Sequence, residues 1–304
     1  MQVGFVGLGR MGANMALRLM QRDRHVVVGY DAVPAVAKTL ESEGASAVAS
    51  LDELVATLKP PRVIWIMVPA GDAVEQTVLR LTDLCEAGDL LIDGGNSHYK
   101  DSMRRARHVA VHGIELLDVG TSGGIWGREL GYSLMIGGSA EGFARAEPLA
   151  RTLAPEHGYA HVGPSGAGHF CKMVHNGVEY ALMQAYAEGF SLLEHGPFDY
   201  DLHRVAELWN HGGVIRSWLL ELTAEMLEQD PTLADVAGYV EDTGEGRWTV
   251  EAAVEHAVPA PVITQSLFAR FRSREADDFG DKIVAMLRKQ FGGHAVRRTG
   301  TRRV

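Results

Sequence analysis

The sequence predicts an α/β architecture: a doubly wound parallel sheet followed by an all-helical C-terminal domain. Three observations predict it. Short apolar runs alternate with helical patterns through the first half, a glycine-rich loop joins the first run to the first helix, and strand-like runs cease after about residue 163. The runs 3–9, 25–31, 62–69, 89–95, 114–120 and 132–138 read as strands, and 12–23 reads as a helix. Near-continuous β-branched runs separated by helices imply a sheet covered on both faces. Beyond the loop 164–169, helical patterns cover 167–195, 201–229, 249–256, 260–272 and 277–290. Two domains are therefore expected, 1–164 and 165–304.

Length and charge narrow the function. A chain of 304 residues suits two domains of ordinary size. A net charge of -10 disfavours a general nucleic-acid binder, although a local cation cluster can still hold a small anion. The 2 cysteines show neither metal-ligand spacing nor a disulfide framework, which fits a reducing compartment. No metal site is expected. The N-terminal residues do not read as a signal peptide and no apolar run is long enough for a bilayer, so a cytoplasmic location is expected.

Gly7, Leu8, Gly9, Arg10, Met11 and Gly12 form G-x-G-x-x-G after a strand and at the opening of a helix. That context turns a weak motif into a Rossmann-type dinucleotide loop. Gly7 permits the tight turn, Gly9 admits the pyrophosphate and Gly12 allows close helix–strand packing. The helix N-terminus supplies free N–H groups for phosphate. Asp31 ends the second strand about 20 residues on, where a carboxylate accepts from ribose hydroxyls. Ala32, Val33 and Pro34 supply no arginine for a 2′-phosphate. NAD is therefore expected in preference to NADP. Val68, near the end of 62–69, joins the expected cofactor contacts.

The stretch CKMVHNGVEY (171–180) is unusual for a helix. At about 100° per residue, Lys172, His175, Asn176, Glu179 and Tyr180 share one stripe within roughly 140°. Val174, Val178, Ala181 and Ala185 fall on the other side. A solvated surface face would favour repeated Lys, Glu, Arg and Gln rather than five different groups. Gly177 also costs about 1 kcal/mol in a helix interior, which suggests a close approach of ligand or backbone.

Together these pieces resemble 6-phosphogluconate dehydrogenase in its short-chain, decarboxylating form, a branch of the β-hydroxyacid dehydrogenases. The resemblance rests on GLGRMG (7–12), DGGNSHYKDS (93–102), GTSGG (120–124), GAGHFCKMVHNGVEY (166–180), GEGRWT (244–249), FARF (268–271) and FGGHA (291–295). DGGNS together with KMVHNGVEY is its narrowest part. The resemblance implies that Lys172 is the general base and acid, with a pKa drawn toward neutrality by burial or nearby cations. It implies that Glu179 protonates the enediol left by decarboxylation. Ser122, Gly123 and Gly124 would hold the substrate carboxylate and hydroxyls, His175 and Asn176 would orient them, and Asn96 would touch substrate and nicotinamide ribose. Tyr180 and Arg270 would bind the phosphate. Arg288 and His294 would complete a neighbouring subunit's site, which implies a homodimer or homotetramer. Trp126 and Trp248 read as packing residues.

The sequence departs from the long-chain form in two places. Thr243 stands where a phosphate-binding lysine is expected, and Ile125 where a glutamate follows SGG. Two alternatives remain: a β-hydroxyacid dehydrogenase for an unphosphorylated acid, which needs neither Arg270 nor Glu179, and a non-catalytic dinucleotide-binding protein.

Overall fold

The computed structural model describes residues 1–275 and 279–292. It divides into two compact units, Met1–Gly177 and a second from Val178 onward.

In the first unit the strands are β1 (Gln2–Val6), β2 (Val26–Tyr30), β3 (Ser46–Ala47), β4 (Val63–Ile66), β5 (Leu90–Asp93), β6 (Glu115–Ser122), β7 (Ser133–Gly137) and β8 (Tyr159–Gly163). They form one sheet in the order β3-β2-β1-β4-β5-β6-β7-β8. The helices are α1 (Arg10–Asp23), α2 (Pro34–Glu41), α3 (Leu51–Thr57), α4 (Asp72–Leu84), α5 (Tyr99–Ala110), α6 (Gly127–Leu130) and α7 (Ala140–Leu153). The start of α8 (Ala167–Glu194) also belongs to this unit.

Alternation along the strands builds two cores. In β4, Val63 and Trp65 pack with Met15, Leu19 and Leu149 on one face, while Ile64 and Ile66 pack with Leu54, Val78 and Leu81 on the other. Burial on both faces is why these strands read as unbroken apolar runs.

Every pairing is parallel except one: β7 runs antiparallel to β6. The sheet is thus parallel as the sequence implied, apart from β7 and its parallel neighbour β8, which run the other way. The link from Ser122 to Ser133 holds only a short 3-10 turn and α6, too little chain for a parallel crossover of a dozen residues or more. Two strands, β3 and β8, were not apparent in the sequence.

The second unit holds the rest of α8, then α9 (Leu202–Asn210), α10 (Trp218–Gln229), α11 (Glu245–Glu255), α12 (Pro261–Ser273) and α13 (Phe279–Gly292). No strand occurs there among the described residues. The single helix expected over 201–229 is two. The chain breaks at His211-Gly212-Gly213, where Gly212 takes φ +84, and α10 restarts under the Ser217 cap. Among the described residues no helix is long and apolar enough to cross a membrane.

Candidate active site

A cavity of about 720 Å³ lies in the first unit beyond the C-terminal ends of β1, β2, β4 and β5. Such crevices are where open α/β sheets bind ligands. Gly7, Gly9, Arg10, Met11 and Gly12 line it, with Asp31, Ala32, Met67, Val68, Pro69, Gly94, Gly95, Asn96 and Thr121.

The three loop glycines have three separate physical causes. Gly7 sits at φ +88, and a Cβ there would lie 2.6 Å from the Met67 carbonyl oxygen. A Cβ on Gly12 would lie 2.0 Å from the Gly7 carbonyl oxygen. A Cβ on Gly9 would meet nothing within 4 Å, so protein packing does not demand this glycine. The space in front of it suits a phosphate, and no side chain caps the N-terminus of α1. These residues fit a dinucleotide.

Leu8 is placed differently from its neighbours. Its side chain is buried and its N–H donates to Asp31 Oδ2 at 2.7 Å. Asp31 Oδ1 accepts from the Val33 N–H at 2.8 Å. Both oxygens are thereby oriented, and each keeps a lone pair for a ribose hydroxyl.

Beside the cavity stands a polar cluster. Asn96, at φ +54, clasps the backbone of Thr121: its Nδ2 donates to the carbonyl at 3.2 Å and its Oδ1 accepts from the N–H at 2.9 Å. The next residue, Ser122, has Oγ 3.5 Å from His175 Nε2. His175 Nδ1 lies 3.0 Å from Asn176 Oδ1 and 3.5 Å from Lys172 Nζ. With an Nδ1–H tautomer donating to Asn176, Nε2 is an acceptor for the Ser122 hydroxyl. Gly123 and Gly124, at φ +131 and +54, turn the chain directly after Ser122.

The helix stripe is not a solvated face. Lys172 and Tyr180 are each only 5% exposed, whereas Val178 on the supposedly apolar side is 45% exposed. Lys172 is held by close packing of α8 on β6: a Cβ added at Gly120 would lie 2.3 Å from Lys172 Cβ. Asp118, buried on β6, fixes the start of the helix by accepting from the N–H groups of Gly166 (2.6 Å) and His169 (2.8 Å). Sequence reasoning missed Asp118. Its only signal was a carboxylate inside the apolar run IELLDVG.

In the second unit Tyr180 and Arg270 come together. The Arg270 guanidinium carbon lies 3.4 Å from the Tyr180 ring centroid, its Nη1 donates to the Glu241 carbonyl at 3.0 Å, and the Tyr180 hydroxyl accepts from the Thr243 N–H at 3.3 Å. Nearby, Asp242 pairs with Arg247 (2.6 Å) and Arg274 (2.5 Å). These bonds, the Arg247 one foremost, hold its carboxyl down to about 2. Glu179 is half-buried on α8. Arg288 is exposed on α13. His294 lies outside the described residues. Trp126, expected to pack, is 47% exposed. No cluster able to hold a metal ion occurs among the described residues.

A glycine loop at the mouth of this cavity, above a sheet of this order, defines a nucleotide-binding α/β domain joined to a helical unit. Residues 2–163 match the NAD binding domain of 6-phosphogluconate dehydrogenase, and 168–301 match its C-terminal domain. The chain belongs to the 6-phosphogluconate dehydrogenase family, whose members are oxidoreductases. It is 46% identical over 296 residues to the protein YqeC of Bacillus subtilis, covering 97% of this chain and 99% of that one. It is also 46% identical over 300 residues to the NAD(+)-dependent, decarboxylating 6-phosphogluconate dehydrogenase of Haloferax volcanii, covering 98% and 99%. Among solved structures, the Plasmodium falciparum 6-phosphogluconate dehydrogenase superposes with a TM-score of 0.83 at 28% identity, covering 100% of this chain and 67% of that one.

Proposed function

We propose that the protein oxidatively decarboxylates 6-phospho-D-gluconate to D-ribulose 5-phosphate and CO2 with NAD as acceptor. The observation that carries this reading is the buried Lys172, set with His175, Asn176 and Ser122 beside a cavity that fits a dinucleotide.

Bound NAD supplies the hydride acceptor. Lys172 takes the proton of the substrate's C3 hydroxyl as C3 is oxidised to a ketone. Protonated Lys172 then donates to that carbonyl oxygen while the C1–C2 bond breaks and CO2 leaves. The bonding pair stays in the enediol, with the ketone as its sink. Glu179 returns a proton to C2, which becomes C1 of the ribulose product. Ser122, Gly123, Gly124, His175 and Asn176 hold the carboxylate and hydroxyls, Asn96 orients substrate and nicotinamide ribose, and Tyr180 with Arg270 receives the phosphate. Thr243 replaces the long-form lysine, so Arg270 carries more of the phosphate's charge.

Asp31 with Ala32 supports NAD, as does the name of the Haloferax relative. Another relative, 38% identical over 287 residues, is named NADP(+)-dependent, so the preference in this chain rests on Asp31. We place the dinucleotide domain at 1–164 and the substrate and oligomerisation domain at 165–304. A homodimer or homotetramer is supported by apolar residues exposed on the helices of the second unit, among them Leu182, Leu192, Leu208, Trp218 and Met226. Arg288 and His294 are assigned to the neighbouring subunit's site.

Turnover with 6-phosphogluconate, gluconate and 3-hydroxyisobutyrate, each with NAD and NADP, tests the reading. Activity confined to the phosphorylated acid and faster with NAD supports it. Equal kcat/KM for gluconate would refute phosphate recognition by Tyr180 and Arg270.

A further inference from the structure

Two segments that line the cavity belong to different elements. One is α4, through Ala73, Gln76 and Thr77; the other is the segment Gly94, Gly95 and Asn96. A buried ionic chain joins them. Arg105 on α5, 2% exposed, donates from Nε to Glu75 Oε2 at 2.7 Å, and its Nη1 lies 3.5 Å from Asp93 Oδ2. Glu75 stands on α4 between the cavity-lining residues and is also gripped by both outer nitrogens of Arg104 (2.5 and 2.8 Å). Arg104 in turn reaches the exposed Asp101 at 3.3 Å. Asp93, fully buried, accepts from the Gly95 N–H at 3.1 Å and the Ser97 hydroxyl at 2.7 Å. It therefore shapes the turn on either side of Asn96.

We propose that Arg105 is a positioning residue for the nicotinamide end of the cofactor, setting the gap between α4 and Gly94–Gly95–Asn96. The proposal rests on the reading that the cavity takes a dinucleotide. With Asp31 at the adenosine ribose and Gly7–Leu8–Gly9 at the pyrophosphate, the opposite end, at Asn96 and Thr121, receives the nicotinamide riboside. Packing fixes most of both walls: a Cβ on Gly95 would lie 2.5 Å from the Val68 carbonyl oxygen, and α4 buries Val74, Val78 and Leu81 in the core. To that packing Arg105 adds the polar tie between Glu75 and Asp93. Loss of the guanidinium leaves the Asp93 carboxylate buried without its cation, a costly state relieved by moving the turn that carries Gly95 and Ser97. Asn96 moves with it.

The test compares NAD with ADP-ribose, which keeps the adenosine and pyrophosphate but lacks nicotinamide. Arg105→Met should weaken NAD and lower kcat by about 10- to 100-fold, the usual cost of displacing a positioned reactant by about 1 Å. Its affinity for ADP-ribose should match that of the wild type, and Arg105→Lys should recover part of both losses. Equal weakening of the two ligands, or no change in either, overturns the proposal. Should Arg105→Met fail to fold, Ser97→Ala removes only one bond to Asp93 and must show the same discrimination in smaller degree; its absence there is equally decisive. A wild-type protein that bound neither ligand would remove the dinucleotide reading and this role together. Wild-type binding without discrimination in the variants removes this role alone.

Discussion

Gly120→Ala is the smallest change that should separate Lys172 from its chemistry. The added Cβ would lie 2.3 Å from Lys172 Cβ, 2.8 Å from the Gly168 carbonyl oxygen and 3.1 Å from Lys172 Cγ, where ordinary contact begins at 3.4 Å. The overlap with Cβ is about 1.1 Å (3.4 less 2.3). A Cβ is fixed by the backbone, so no rotamer change of Lys172 relieves it, and β6 must part from α8 by about 1 Å. A displacement of that size should lower kcat about 10²-fold. Overpacking should cost about 1–3 kcal/mol of stability. Gly7, Gly9 and Asp31 lie elsewhere, so affinity for ADP-ribose, which lacks the nicotinamide, should be unchanged. Steady-state kinetics, ADP-ribose titration and a thermal melt on one preparation separate these effects. A variant with wild-type kcat would show that Lys172 is not held as described, or is not the base.

Three further outcomes follow from the same contacts. Asp118→Asn keeps only one acceptor where two N–H groups need one each; it should cost about 2 kcal/mol and lower kcat, measured by denaturant titration and turnover. Acid should weaken both units. Glu75, held chiefly by Arg104 and then Arg105, and Asp242, held by Arg247 and then Arg274, both titrate near 2 when folded. Their folded pKa lies below the unfolded one, so their contribution is complete above about pH 5 and lost as pH falls toward about 2. Asp242→Asn should flatten this acid limb in melts across that range, and an unchanged limb would contradict the ion-pair account. Asp31→Asn with Ala32→Arg should shift kcat/KM from NAD toward NADP by about tenfold or more, and an unchanged ratio would remove Asp31 as the determinant.

Much of this was legible because its causes are local. The runs VIWI and LLID are buried on both faces, so their burial is written as uninterrupted apolar sequence. In the glycine loop, the positive φ of Gly7 and the approach of Gly12 to the Gly7 carbonyl are both contained within six residues. β8 was not legible, because YAHVG at the sheet edge is largely exposed and need not be apolar. The antiparallel turn of β7 is encoded only in the shortness of its connection. The break after α9 was marked by Gly212-Gly213, yet the helical period on either side masked it. In the site, the stripe from Lys172 to Tyr180 could be laid out from helical spacing alone. The groups that hold the stripe and the cavity could not. Asp118 finds its partners 48 and 51 residues away, and Arg105 finds Glu75 at 30, separations over which no local pattern carries information.

The central claim is that the Lys172–Glu179 face performs oxidation and decarboxylation as one sequence on a phosphorylated acid. The most direct test follows reduced nicotinamide and CO2 together, with purified protein, 6-phosphogluconate and NAD. The account predicts equal amounts of the two, matched by ribulose 5-phosphate, with both signals abolished in Lys172→Met. Reduced cofactor accumulating without CO2 would contradict it.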